Sequence, residues 1–294
     1  MSTPSNGREI TFSQAINEAI REEMRRDEKV ILMGEDVAAA GGVFKVTQGV
    51  LDEFGPERVW DTPISEAGIV GIGVGAAMTG LRPIVEVMFG DFLTLAMEQL
   101  VNQAAKIHYM SGGMFQVPLV IRTTMGAGRR AAAQHSQSLQ AWVAHIPGLK
   151  VAMPSTPYDA KGLLKSAVRD NNPVIFFEDK MMYQQKGAVP DPAEDYAIPF
   201  GQANVMRAGR DITLIATSSM VYVALEAAET LAREGIDAEV IDVRTLTPLD
   251  EETLVNSVKK TARCLVIDEG YQRFGVTAEI AALIAQKAFH HLQA

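Results

Sequence analysis

Cysteine is nearly missing from the chain: one residue, Cys264, stands among 294. An intrachain disulfide is therefore excluded, and the composition suits a reducing compartment. Cys264 lies inside "RCLVIDE", the pattern of a buried strand, where a small core residue is the expected role. Long apolar runs are missing too. The longest, Ala67 to Met78, is too short and too rich in glycine to span a bilayer. The opening "MSTPSNGREI" has no apolar stretch of the kind that directs secretion. Basic tracts are absent, and 27 Lys and Arg against 36 Asp and Glu leave a formal net charge of -9. That balance argues against nucleic acid and anionic membranes as partners. The expected setting is cytoplasmic. No histidine stands at zinc-ligand spacing with the cysteine.

What is present is globular: 47% of residues are hydrophobic and 21% charged, over a length that suits one large or two ordinary domains. Short apolar runs recur at Val30, Pro83, Pro118, Pro173, Asp211, Ala238 and Arg263, and most are unbroken, as strands covered on both faces require. Helical patterns alternate with them. Met220, Val223, Ala224, Ala227, Ala228 and Leu231 recur at helical spacing, with Ser218 or Ser219 before them and Gly235 after. In "STPYDAKGLL" Thr156 can cap, Pro157 suits the first helical position, and Asp159 faces the positive end of the dipole. Such alternation predicts an α/β fold with mainly parallel sheets. The pattern breaks after Gln184, where three prolines fall before Gly201. The expected division is therefore a domain over 1–185, a linker over 186–200 and a second, smaller domain over 201–294.

"DTPISEAGIVGIGVGAAMTG" sets one carboxylate, Glu66, at the mouth of an apolar run. Gly71, Gly73 and Ala76 fit the G-x-G-x-x-A form of a dinucleotide turn, and Asp91 stands about twenty residues beyond, where a ribose-binding acid belongs. Against this, Pro63 interrupts the approach, and a dinucleotide turn needs a strand leading straight into its glycines. The same letters also read as a helix whose small residues admit a close neighbour. An acid at a helix start has a plain electrostatic reason to be there.

The order of "DTPISE", "RPIVEVMFGDF", "NQAAKIHYMSGG", "AAQHSQSLQAW" and "RDNNPVIFFE" resembles the β subunits of the thiamine-diphosphate-dependent first component of 2-oxo acid dehydrogenase complexes, acetoin dehydrogenases included. The resemblance runs from about Thr11 to about Phe289. It implies a transketolase-like pyrimidine-binding domain followed by a transketolase C-terminal domain, and a heterotetramer of two α and two β chains. It implies cleavage of a 2-oxo acid, pyruvate in the first place, or of acetoin, with the acyl group passed to the lipoamide of an acyltransferase core.

By the same resemblance, Glu66 is the carboxylate that holds the cofactor's pyrimidine ring nitrogen, and a site screened from water strengthens that bond. Met88 and Phe92 match the lining of the pyrimidine pocket. Glu35, in "LMGEDV", matches a glutamate of the acidic network that joins the paired active sites. His135 matches the histidine that positions the lipoyl group or moves protons during its acylation. "SAVRDNNP" resembles a potassium site, which points to Leu119, Ala167, Val168, Asp170 and Asn172; a helix end followed by a turn explains the same letters without a metal. A complete enzyme of this kind needs a Gly-Asp-Gly motif for the magnesium that bridges the diphosphate, and none occurs here. The implied α chain must bring it.

Two alternatives stay open on the sequence: an NAD-linked oxidoreductase built on Gly71, Gly73 and Asp91, and a non-catalytic α/β scaffold subunit. Family chains usually continue past the helix marked by Val276, Ile280, Leu283, Ile284 and Ala288. An ending at "HHLQA" leads to the expectation that the α and β chains assemble but bind the core's subunit-binding domain weakly or not at all.

Overall fold

The computed structural model describes residues 7–293; the first six residues and Ala294, outer ends of the two expected domains, lie outside it. The first half runs β1 (Arg8–Thr11), α1 (Phe12–Arg26), β2 (Val30–Gly34), α2 (Val50–Phe54), β3 (Val59–Asp61) and α3 (Glu66–Met78). It continues through β4 (Arg82–Val87), 3-10 and π turns, α4 (Ile107–Met110), β5 (Val120–Met125) and α5 (Gln140–Ala144). Next come β6 (Lys150–Ala152), α6 (Pro157–Arg169), β7 (Val174–Asp179) and β8 (Lys186–Val189). The second half is β9 (Asn204–Arg207), β10 (Ile212–Ala216), α7 (Met220–Arg233), β11 (Ala238–Asp242), β12 (Thr245–Thr247), α8 (Glu251–Thr261), β13 (Cys264–Ile267) and α9 (Val276–Ala288). None of these helices is long and apolar enough to cross a membrane.

All seven apolar runs are strands, and β2, β5, β7 and β11 are buried along their whole length. They form two sheets. The first has the order β12-β6-β7-β5-β4-β2-β3, parallel except for β12; the second is β13-β10-β11-β9, with β9 antiparallel. Cys264 departs from the expectation. Its strand β13 is an edge strand with Leu265 54% exposed, so the thiol is half-buried rather than deep in a core.

Helix signals behave as their chemistry requires. Thr11 and Gln14 form a reciprocal capping box at the start of α1, which buries Phe12, Ala15, Ile16, Ala19 and Ile20 along one face. Thr156 accepts from the Asp159 amide with Pro157 behind it. Ser219 precedes α7 without capping it by its side chain, while Gly235 takes φ +82° just past its end.

The stretch read as a linker opens with a strand. Residues 186–189 form β8, which pairs antiparallel with β1, Arg8 opposite Val189. The two halves are also stitched together, because β12 joins the first sheet beside β6. Nearby, buried Arg244 pairs with buried Asp159 at 2.6 Å, and Asp242 accepts from Ser155. Burial and the Asp159 charge push the Asp242 carboxyl up to about 7.

Candidate active site

Parallel strands deliver loops from their carboxyl ends to one edge of the sheet, which is where α/β sites gather. Register fixes which residues arrive. Gly34, at the end of β2, lies opposite Asp61 of β3 and Glu86 of β4, so Glu35, the entry to α3 and the turn at Met88 converge. Met125 of β5 lies opposite Asp179 of β7, which brings the loop beyond Gly126 beside Lys180.

Glu66 is the first residue of α3, set there by the Ser65 hydroxyl that accepts from the Gly68 amide. It is only 7% exposed, yet no hydrogen bond or ion pair from the described residues reaches its carboxylate. Glu35 lies within reach of its charge: burial, then Glu66, Asp36 and Glu86, raise the Glu35 carboxyl above the usual range. Beneath them, Arg122 is enclosed by Glu86 at 2.8 Å and Glu178 at 2.7 Å, and Tyr183 donates to Glu178 at 2.8 Å. Burial and the Glu178 charge raise Glu86 against the pull of Arg122.

Across the turn after β4 the surface becomes aromatic. Met88 and Phe92 are half-buried, and the Met88 carbonyl accepts from the Thr124 hydroxyl at 2.9 Å. Phe89, between them in sequence, packs edge-on to Phe92 at 5.8 Å and to His135 at 4.6 Å; Phe92 meets His135 at 5.3 Å. The structure thus brings Phe92 and His135 together around Phe89, which follows Met88 in sequence, and Glu35 and Glu66 into one carboxylate cluster. The patch offers aromatic rings set edge to face, and the cluster a hydrogen-bond acceptor for a ring N–H.

The proposed potassium ligands also assemble, at the end of α6 and the turn before β7. Their oxygens are of the kind a hard cation takes. In this arrangement Arg82 donates to the Val168 and Asp170 carbonyls at 2.9 and 3.0 Å, Lys150 pairs with the Asp170 carboxylate, and Leu119 accepts from Val174 at 2.8 Å. Asn172 donates to Asp170 through its amide and side chain. A potassium ion there would share its oxygens with two protein cations.

The dinucleotide alternative fails on geometry. Gly71 and Gly73 lie inside α3, five and seven positions past Glu66, so their amides serve the helix and no strand runs into them. Small size matters at Gly73, where a Cβ would come within 2.8 Å of Val85 Cγ2 and 3.1 Å of Leu119 Cδ1. The close neighbours are side chains rather than another backbone. Asp91 binds Gln137 instead of a ribose, through Oδ1.

Sequence reasoning passed over Glu86, Arg122, Glu178, Phe89, Gln137, Lys180, Glu269 and Tyr271. A signal existed for the first three, which are charges inside runs otherwise fit for a core. Lys180 is 1% exposed, its ammonium has no hydrogen-bond partner among the described residues, and it lies over the Phe89 ring at 5.7 Å. Burial lowers its pKa more than Asp91, Asp179 and Glu269 raise it. Glu269 is pushed up to about 7 by burial and then by the charges of Asp179 and Asp268.

Residues 8–186 match the transketolase pyrimidine-binding domain family, and residues 201–294 match the transketolase C-terminal domain family. The chain is similar to the β subunit of acetoin:2,6-dichlorophenolindophenol oxidoreductase of Bacillus subtilis (strain 168), with 53% identity over 98% of this chain and 87% of that one. It is 51% identical to the β subunit of the pyruvate dehydrogenase E1 component of Rhizobium meliloti (strain 1021), over 97% of this chain and 62% of that one. The β subunit of 2-oxoisovalerate dehydrogenase of Bacillus subtilis (strain 168) is 48% identical over 97% and 87%. Among solved structures, a split-gene transketolase described as an inactive β4 tetramer superposes with a TM-score of 0.79 at 23% identity, covering 95% of this chain and 85% of that one. That last likeness speaks for the fold.

Proposed function

Because the chain belongs to the β subunits of thiamine-dependent 2-oxo acid and acetoin dehydrogenases, we propose that it supplies the pyrimidine half of an active site completed by an α subunit. One observation carries the reading. Glu66 is a nearly buried carboxylate to which none of the described residues donates, at the carboxyl edge of a parallel sheet. Thiamine diphosphate, when bound, supplies a carbon nucleophile whose formation depends on its aminopyrimidine. Glu66 is the residue fit to hold the pyrimidine ring nitrogen, and with little water to compete, its hydrogen bond is strong. Glu35 and Glu86 extend the acidic cluster behind it. Met88 and Phe92 would border the ring and keep water away.

The reaction we propose is cleavage of a 2-oxo acid, pyruvate first, or of acetoin, with transfer of the acyl group to lipoamide on an acyltransferase core. The magnesium that clasps the diphosphate belongs to the α chain in this reading, since this chain lacks Gly-Asp-Gly. Large apolar side chains stand open beside the site: Ile64, two residues before Glu66, is 81% exposed, and Leu95, three after Phe92, is 59% exposed. Such surfaces mark protein contacts. Reconstitution tests the reading. With thiamine diphosphate and magnesium, the isolated chain should oxidise neither pyruvate nor acetoin, and an α chain carrying Gly-Asp-Gly should restore turnover. Turnover by the isolated chain would overturn the division of labour.

In this reading His135 acts after cleavage, when the acyl group moves to the lipoyl arm. His135→Ala should depress transfer to a free lipoyl domain by about 10²-fold, the lower end for a positioned acid or base. Oxidation by 2,6-dichlorophenolindophenol should fall much less. Equal losses in both assays would remove the specific role.

A further inference from the structure

No hydrogen bond from the described residues holds the His135 ring. Its place depends on the loop that carries it, from Gly126 to Leu139 between β5 and α5. That loop has few ties of its own: the His135 amide reaches the Ala132 carbonyl at 3.4 Å and the Ser136 hydroxyl donates to the same oxygen at 2.7 Å. Arg130 and Ala132 take φ of 56° and 62°, a conformation that residues with a Cβ keep only under constraint. The constraint must come from outside the loop.

It arrives at Gln137. Its amide and its side-chain Nε2 donate to Asp91 Oδ1 at 3.4 and 2.8 Å, and its Oε1 accepts from the Tyr271 hydroxyl at 3.3 Å. Asp91, 4% exposed, lies on the turn after β4 whose Phe89 and Phe92 form the bed for the His135 ring. The same short turn therefore supplies both the surface under the histidine and the anchor two residues further on. Tyr271 lies in the second domain, beyond β13. A neighbouring contact runs the same way: the Ser138 hydroxyl donates to Glu269 at 3.4 Å, and a Cβ on Gly126 would come within 2.6 Å of that carboxylate. Both ends of the histidine loop thus rest on one acid of the C-terminal domain.

We infer that Gln137 is the positioning residue of His135, held from one domain by Asp91 and from the other by Tyr271. The C-terminal domain thereby takes part in acyl transfer, a consequence that rests on the role given to His135 above. The polarity of the contact allows a sharp test. Gln137→Glu sets a carboxylate against Asp91, whereas Asp91→Asn in the same chain restores a donor facing an acceptor, with the roles reversed.

The test uses the enzyme assembled with its α chain, and two readouts: hydrogen exchange across residues 129–138, and the ratio of transfer to a free lipoyl domain over oxidation by 2,6-dichlorophenolindophenol. Gln137→Glu should speed exchange and lower the ratio about tenfold, the scale of one hydrogen bond to a charged group. The double variant should recover most of both. Tyr271→Phe, a change at an exposed ring that leaves the fold intact, should lower the ratio about two- to threefold. The inference is overturned if Gln137→Glu leaves exchange and ratio at parental values, or if the double variant, melting like the parent, recovers neither. If His135→Ala lowers both activities equally, the role of His135 falls, while the exchange data still decide whether Gln137 holds the loop.

Discussion

Glu66→Gln should lower turnover of the assembled enzyme by at least roughly 10²-fold, the loss typical of a positioned acid-base group, with thiamine diphosphate still bound. The amide preserves the shape and one acceptor oxygen. It lacks the charge that makes a buried carboxylate a strong partner for a ring nitrogen gaining a proton. A competing account gives Glu66 only an electrostatic place at the start of α3, and the structure does seat it at that helix's first residue. Magnitude separates the two. The helix dipole is worth about 0.3–1 kcal/mol for such a residue, and a hundredfold rate loss corresponds to about 2.7 kcal/mol. If the dipole were the whole story, the variant would melt slightly lower and turn over within a few-fold of the parent. Steady-state rates and cofactor binding by calorimetry, on the same preparations, decide it.

The place of Glu66 follows from one local sequence feature, while the role proposed for it rests on the family resemblance. Ser65 caps and Glu66 follows, so the acid must appear at the mouth of a helix. The apolar run behind it has no polar group to claim the carboxylate. Likewise the long strands were legible because a parallel sheet covered on both faces needs unbroken apolar runs. β3, β6 and β12 were not legible, because three residues hold no periodicity and form strands only through their partners. β8 was hidden inside an apparent linker for the same reason: its partner β1 lies near the other end of the domain. The hold on His135 was out of reach of any local reading. Asp91 lies 46 positions from Gln137, and Tyr271 lies 134 beyond it. Only the fold makes them neighbours.

Arg122→Met should be among the most destabilising single changes in the chain. Arg122 pairs in register with Glu86 on β4, and Glu178 lies two residues beyond its opposite number, Phe176, on β7. Its guanidinium meets Glu178 with two nitrogens, at 2.7 and 2.8 Å, and Glu86 with the third at 2.8 Å. Methionine fills much of the volume but leaves two buried carboxylates without a countercharge, with only Tyr183 still donating to Glu178. Breaking such a network from one side costs about 3–5 kcal/mol, which for a domain of this size lowers the melting temperature on the order of 10 °C. The deficit should depend on pH with a definite sign. Glu86 already titrates above its ordinary 4.5 because burial and Glu178 outweigh Arg122, and loss of Arg122 raises it further. A carboxyl whose folded pKa lies above its unfolded value keeps its full contribution below the unfolded value and loses it as pH rises through the folded one. The gap between parent and variant should therefore be widest near neutrality and narrow toward pH 4.5. Adding Glu86→Gln and Glu178→Gln should recover part of the loss, since the cost lies in the stranded charges rather than in the missing side chain. A gap of equal size at pH 5 and pH 8, unmoved by those two substitutions, would mean that Arg122 acts by packing. Recovery would show instead that the buried acids beneath Glu35 and Glu66 depend on one guanidinium for their countercharge.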